Sequence, residues 1–161
     1  GAPLFTALRE GLGGTLPLIA EDLGVITAEV DALRESFRLP GMKVLQFAWS
    51  GPDNAFLPHE HVPHAVVYTG THDNDPVLGW WQHLASPAER NIVAEYAGAP
   101  VTEPHWTLIR LGLASCAHTF LTTMPDVLGL GREARPQLAW RCEGVGAALD
   151  GALARYFKEI S

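Results

Sequence analysis

The feature that most constrains this chain is a repeated change of hydrophobic period, from short apolar runs of strand length to stretches with helical spacing. Leu16-Pro17-Leu18-Ile19-Ala20 is apolar, bounded by turn residues, and reads as a buried strand. Behind it Ile26, Val30, Leu33 and Phe37 recur at i, i+4, i+7 and i+11, the stripe of an amphipathic helix that Pro40-Gly41 ends. Lys43–Phe47 and the β-branched run Ala65–Thr69 predict two further strands, and His118–Thr123 predicts a fourth. Asp75-Pro76 reads as an N-cap followed by proline at the first helical position, and Ser86-Pro87-Ala88-Glu89 as a capping box. Another helix is expected from Pro104 to Cys116, and Leu149, Leu153, Tyr156 and Ile160 stripe a closing one. Strands alternating with helices predict an α/β fold of four βα units with parallel pairing and right-handed crossovers. In such sheets ligands gather at the C-terminal ends of the strands.

Composition narrows the partners. With 47% hydrophobic residues in 161, the chain can bury enough surface to fold as one domain. Eleven Lys and Arg against eighteen Asp and Glu leave a formal charge of −7, and no two basic residues adjoin, which argues against nucleic acid and against an anionic membrane surface. No window approaches a transmembrane length, and no signal peptide is visible. Two cysteines make no disulfide framework, so a reducing cytoplasm is the expected compartment. The chain opens on Gly1-Ala2-Pro3 and is expected to begin inside a longer protein.

Two strand ends carry candidate chemistry. Glu21-Asp22 follows the first apolar run, where the pair could equally be a solvated loop or a helix cap. Thr69-Gly70-Thr71-His72-Asp73-Asn74-Asp75 follows the third strand, and with Asp75 assigned to the cap, His72, Asp73 and Asn74 are left without a structural task. Glu21 and Asp73 on one rim would suit glycosidic chemistry, in which one carboxyl protonates the leaving oxygen while another stays ionised to stabilise the sugar cation or attack it. Neutral glycans are gripped by aromatic faces, and Trp49, Trp80, Trp81, Trp106 and Trp140 are candidates, although most are expected in the core. His59, His61 and His64 offer a zinc-site reading, with no third ligand type and no pattern of supporting partners legible, and with a polar loop as the alternative. Gly129-Leu130-Gly131-Arg132-Glu133-Ala134 matches the dinucleotide fingerprint in form but lacks the βα units that should follow.

Four segments in order, Leu18–Gly24, Pro40–Phe47, Tyr68–Asp75 and Asp126–Arg135, resemble the 4-α-glucanotransferases, also called amylomaltases or disproportionating enzymes. The resemblance implies a (β/α)8 barrel, of which this chain is the C-terminal half, strands five to eight. It also implies retaining transfer of α-1,4-glucan segments between maltooligosaccharides, starch or glycogen, with no metal or organic cofactor. By the same resemblance Glu21 is the general acid/base and Asp73 the carboxylate that stabilises the transition state. His72 and Asn74 beside it, with Gln46 and Phe47 at the end of the preceding strand, are implied to contact the glucan. The family's nucleophilic aspartate belongs to an earlier strand, so residues 1–161 alone are expected to be inactive. Pro125 stands where the family commonly has Gln, and Arg135–Arg141 shortens its usual loop. The alternative is a non-catalytic glucan-binding module using the aromatic rim only.

Overall fold

The structure, a computed structural model, describes residues 1–134. Its helices are α1 (Ala2–Gly11), α2 (Ala28–Ser36), α3 (Val77–His83), α4 (Pro87–Ala97), α5 (Pro104–Leu113) and α6 (Met124–Leu128). Its strands are β1 (Gly41–Val44), β2 (Ala65–Tyr68) and β3 (Thr119–Leu121). The strands pair in the order β1-β2-β3, all parallel, with Val44 opposite Tyr68 and Tyr68 opposite Leu121. Between β2 and β3 the chain crosses over through α3, α4 and α5, as parallel pairing requires. The closing helix expected over 149–160, together with Trp140 and the 135–141 stretch, lies outside the described residues.

Three expectations about elements are corrected. Residues 16–20 form no strand, and Leu18 and Ile19 are exposed. Pro17 has no N–H to give, and the Met42 N–H that a neighbouring backbone would take is donated to Asp22 Oδ1 at 2.7 Å. One backbone bond remains to bind the segment to the β1 edge region, Ala20 N–H to the Pro40 carbonyl at 2.9 Å. The strand expected over 43–47 stops at Val44, and Leu45–Ser50 coils as a 3₁₀ helix instead. That coil places Leu45, Ala48 and Trp49, spaced i, i+3, i+4, together in the core. Consequently the β1–β2 connection holds two 3₁₀ turns, Leu45–Ser50 and Pro58–Glu60, and no α-helix.

The core lies on one side of the sheet, where Leu45, Trp49, Leu57, Val67, Val77, Trp80, Val93 and Leu108 pack together. Trp49, 1% exposed, meets the Tyr96 ring edge-on at 5.8 Å. Side chains alternate along a strand, so Met42, Tyr68 and Leu121 share the opposite face, and Leu121 there is 45% exposed. The capping box of α4 forms as the sequence predicts: Glu89 N–H donates to Ser86 Oγ at 3.2 Å, and Ser86 N–H donates to Glu89 Oε2 at 2.7 Å. No helix among the described residues is long and apolar enough to cross a membrane.

Candidate active site

The loop after β2 is built by short-range polar bonds. Asn74 Oδ1 accepts from Thr71 N–H at 2.8 Å and from Thr71 Oγ1 at 2.9 Å, closing a tight polar turn. That turn projects its tip into solvent: the His72 and Asp73 side chains are 82% and 80% exposed, with His72 Nε2 3.3 Å from Asp73 Oδ1. Asn74 therefore has a structural task, contrary to the sequence expectation, and its carbonyl oxygen is engaged within the loop.

Beneath the turn the loop is anchored. Gln46, buried at 5% exposure, donates from Nε2 to the Asp75 carbonyl at 2.9 Å. It reaches there by passing Gly70, where a Cβ would stand 2.6 Å from the same amide nitrogen. Gln46 thus ties the turn after β1 to the foot of the loop after β2, and it also borders the cleft beside Phe47. Asp75 does not cap α3 either. Pro76 occupies the cap position without a side-chain bond, while the Asp75 carboxylate accepts from Arg132 Nε at 2.7 Å. The cap comes from far along the chain: Val77 N–H, first of α3, donates to Asp126 Oδ1 at 2.6 Å.

Glu21 and Asp73, distant in sequence, line one cleft of about 390 Å³ together with His72, Met42, Tyr68 and Leu121. The cleft opens on the sheet face away from the core. Burial raises the Tyr68 phenol above its ordinary 10.0, so its hydroxyl remains a hydrogen-bond donor at the cleft floor. Asp22, next to Glu21, turns the other way, with Oδ1 on Met42 N–H and Oδ2 3.5 Å from Arg34 Nε. The adjacent acids thereby divide: one braces β1, the other faces the cleft. A second cleft of about 930 Å³ lies on the far side of Asp73 and is bordered by Phe47, Asn74, Trp80 and Arg132. Phe47 is 41% exposed and keeps a face available beside its edge-to-face contact with Phe56 at 5.8 Å. Trp49, Trp80 and Trp106 are buried.

The three histidines considered for zinc turn to separate partners. His59 Nδ1 lies 3.0 Å from Tyr96 Oη, His64 Nε2 lies 2.7 Å from the Arg38 carbonyl, and His61 bridges Phe56 O at 2.9 Å and Ser115 Oγ at 2.7 Å. Among the described residues no group of three metal-ligating side chains converges. The Phe56 carbonyl requires a proton on His61 Nε2, which leaves Nδ1 to accept from the Ser115 hydroxyl. Burial is the main cause that pulls this imidazole below its ordinary 6.5, with Lys43 and His59 adding to it and the Phe56 bond opposing. Below pH 6.5 the folded chain therefore binds fewer protons here than the unfolded chain, so the contribution is complete above that value and declines as pH falls through it. Urea unfolding between pH 5 and 8 should show wild type losing stability on acidification more steeply than His61→Gln. Parallel curves would remove His61 as a source of that dependence. Gly129 of the dinucleotide-like stretch sits at φ 64° and ends α6, so the stretch closes a helix where a phosphate cradle must open one.

The protein family described as 4-alpha-glucanotransferase matches residues 1–138. A 4-alpha-glucanotransferase of Thermus thermophilus is 48% identical over 153 residues, covering 89% of this chain and 30% of the relative. One of Synechocystis sp. is 46% identical over 147 residues, covering 89% and 29%. The structure of the amylomaltase from Streptococcus agalactiae in complex with acarbose superposes with a TM-score of 0.78 at 28% identity, over 95% of this chain and 34% of that one. The chain thus spans under a third of the length of these two curated relatives. Matched in sequence from its first residue through the described fold, and in structure over nearly all its length, this chain belongs to the 4-alpha-glucanotransferase family.

Proposed function

We propose that the chain is the C-terminal half of a (β/α)8 catalytic barrel that transfers α-1,4-glucan segments with retention, working on maltooligosaccharides, starch or glycogen in the cytoplasm. The observation that carries this reading is the shared cleft of Glu21 and Asp73 beside the ends of parallel strands. The name of the Streptococcus agalactiae complex supports a carbohydrate-like occupant.

In the proposed cycle Glu21, protonated, gives its proton to the oxygen of the scissile glycosidic bond. The departing chain leaves as an alcohol, and the sugar carbon is taken by a nucleophilic carboxylate supplied upstream of Gly1. Glu21, now ionised, accepts the proton of an acceptor hydroxyl, which attacks the glycosyl ester and restores that carboxylate. Asp73 and His72 flank the transferred sugar, the carboxylate offsetting its positive charge and the imidazole meeting a hydroxyl. Phe47 offers a stacking face in the adjoining cleft. No step calls on a metal or organic cofactor.

The test is maltotriose. The full-length enzyme should release glucose while longer maltooligosaccharides accumulate, and the purified 161-residue chain should release none, because it holds no nucleophile for the glycosyl ester. Clear turnover by the short chain would refute the missing-nucleophile argument. Binding of maltooligosaccharides by the full-length protein without turnover would favour the non-catalytic binding module.

A further inference from the structure

One buried carboxylate takes no part in the cycle above. Asp126 is 1% exposed, lies in the first turn of α6, and borders neither cleft. Its two oxygens are spent on the two ends of a single loop. Oδ2 accepts from Thr69 Oγ1 at 2.6 Å, where β2 ends, and Oδ1 accepts from Val77 N–H at 2.6 Å, where α3 begins. Between those ends lie His72 and Asp73. Thr69 is itself wholly buried, so neither bond is shared with solvent. Asp126 is held in turn by its own N–H, which donates to Thr123 Oγ1 at 3.3 Å.

We propose that Asp126 is the positioning residue for Asp73: one carboxylate fixes both ends of the 69–77 loop and thereby sets how far into the cleft its exposed tip projects. The inference rests on the role given to Asp73 above. The tip carries its own bonds among Thr71, Asp73 and Asn74, so its shape is set within the loop and its placement by the loop's ends. Gln46 and Arg132 hold the loop at Asp75, and Thr69 N–H donates to the Leu121 carbonyl at 3.2 Å, but none of these bonds joins the two ends to each other as the Asp126 carboxylate does. A charge that acts on the transition state and is misplaced by about an ångström costs on the order of a hundredfold in rate. Ground-state binding of the glucan, shared between His72 and the contacts outside this loop, should change far less.

The experiment is steady-state kinetics of the full-length enzyme on maltotriose, with thermal unfolding in parallel. Asp126→Ala should lower kcat about a hundredfold with KM within about threefold of wild type. Asp126→Asn should recover most of that loss. Its amide oxygen still accepts from Val77 N–H, its amide nitrogen can donate to Thr69 Oγ1, and the Thr69 proton can turn to Thr122 Oγ1 at 3.2 Å. Thr69→Val, which keeps the shape and removes the hydroxyl, should lower kcat at least about tenfold and likewise spare KM. If Asp126→Ala does not fold, the other two variants decide. A folded Asp126→Ala or Thr69→Val with wild-type kcat overturns the proposal, as does an Asp126→Asn no better than a folded alanine variant. Asp73→Asn run beside them separates the two levels: if it too retains full kcat, the role of Asp73 fails, whereas if it alone is impaired, only the role of Asp126 fails.

Discussion

Replacing Glu21 by Gln in the full-length enzyme is expected to lower maltotriose disproportionation by about a thousandfold or more, within the range that positioned acid–base groups supply. The amide has nearly the same shape but neither releases a proton to the leaving oxygen nor accepts one from the incoming hydroxyl, so both halves of the cycle suffer. Glu21 is an exposed cleft residue, so its loss should leave the unfolding temperature near that of wild type. A donor such as maltosyl fluoride, whose leaving group needs no proton, should recover the first half-reaction in the variant. Single-turnover measurement of fluoride release against maltotriose cleavage checks this. A loss below about tenfold on maltotriose would remove Glu21 from the acid/base role.

The second large effect is expected at Asp73. Asp73→Asn keeps the size and removes the charge that faces a developing sugar cation. At about 4 Å and an effective dielectric near 20 that attraction is on the order of 4 kcal/mol, which corresponds to roughly a thousandfold in rate. Because the cation exists only in the transition state, the loss should fall on kcat and leave KM within a few-fold. The side chain is 80% exposed, so stability should hardly move. Maltosyl fluoride should not rescue this variant as it does Glu21→Gln, since the missing stabilisation is needed whatever group departs. Equal rescue of both would contradict the division of labour between the two carboxylates.

Local pattern made much of the scaffold legible. The β-branched run at 65–69, the Thr-rich 118–123 around Phe120 and Leu121, and the capping box at Ser86 each name their element because the cause acts within a few residues. Alternation of strand and helix predicted parallel pairing, and all the described pairs are parallel. Short-range pattern misled where a competing bond came from elsewhere. Residues 16–20 have the composition of a strand, yet Pro17 and the Asp22 carboxylate leave little for a ladder. Leu45–Phe47 has β character, yet the core takes Leu45, Ala48 and Trp49 at helical spacing. Two helices, α1 and α6, are only faintly marked in the sequence. α1 carries Pro3 in its first turn and α6 a Thr123 cap with Pro125, signals present in the text but attached to weak or brief periodicity.

The candidate site divides along the same line. Glu21 and Asp73 could be named because each follows an apolar run, and chain order alone suggests that strand ends share a rim. Local pattern does not distinguish Glu21 from Asp22, which the family resemblance does, and it does not show that Asn74 and Gln46 brace the loop. Asp75 looked like the cap of α3 because it stands beside the helix, while the cap is Asp126, 49 positions from Val77.

Sequence by itself determined the α/β character, the capping box and the residues eligible for carboxylate chemistry, since period, propensity and side-chain type act over a few positions. Only the tertiary structure decided which acid faces the cleft, which residues brace it, and that one buried carboxylate grips both ends of the 69–77 loop. Hydrogen bonds form between groups that meet in space, and a buried donor takes whichever acceptor the packing brings within reach, however distant in the chain.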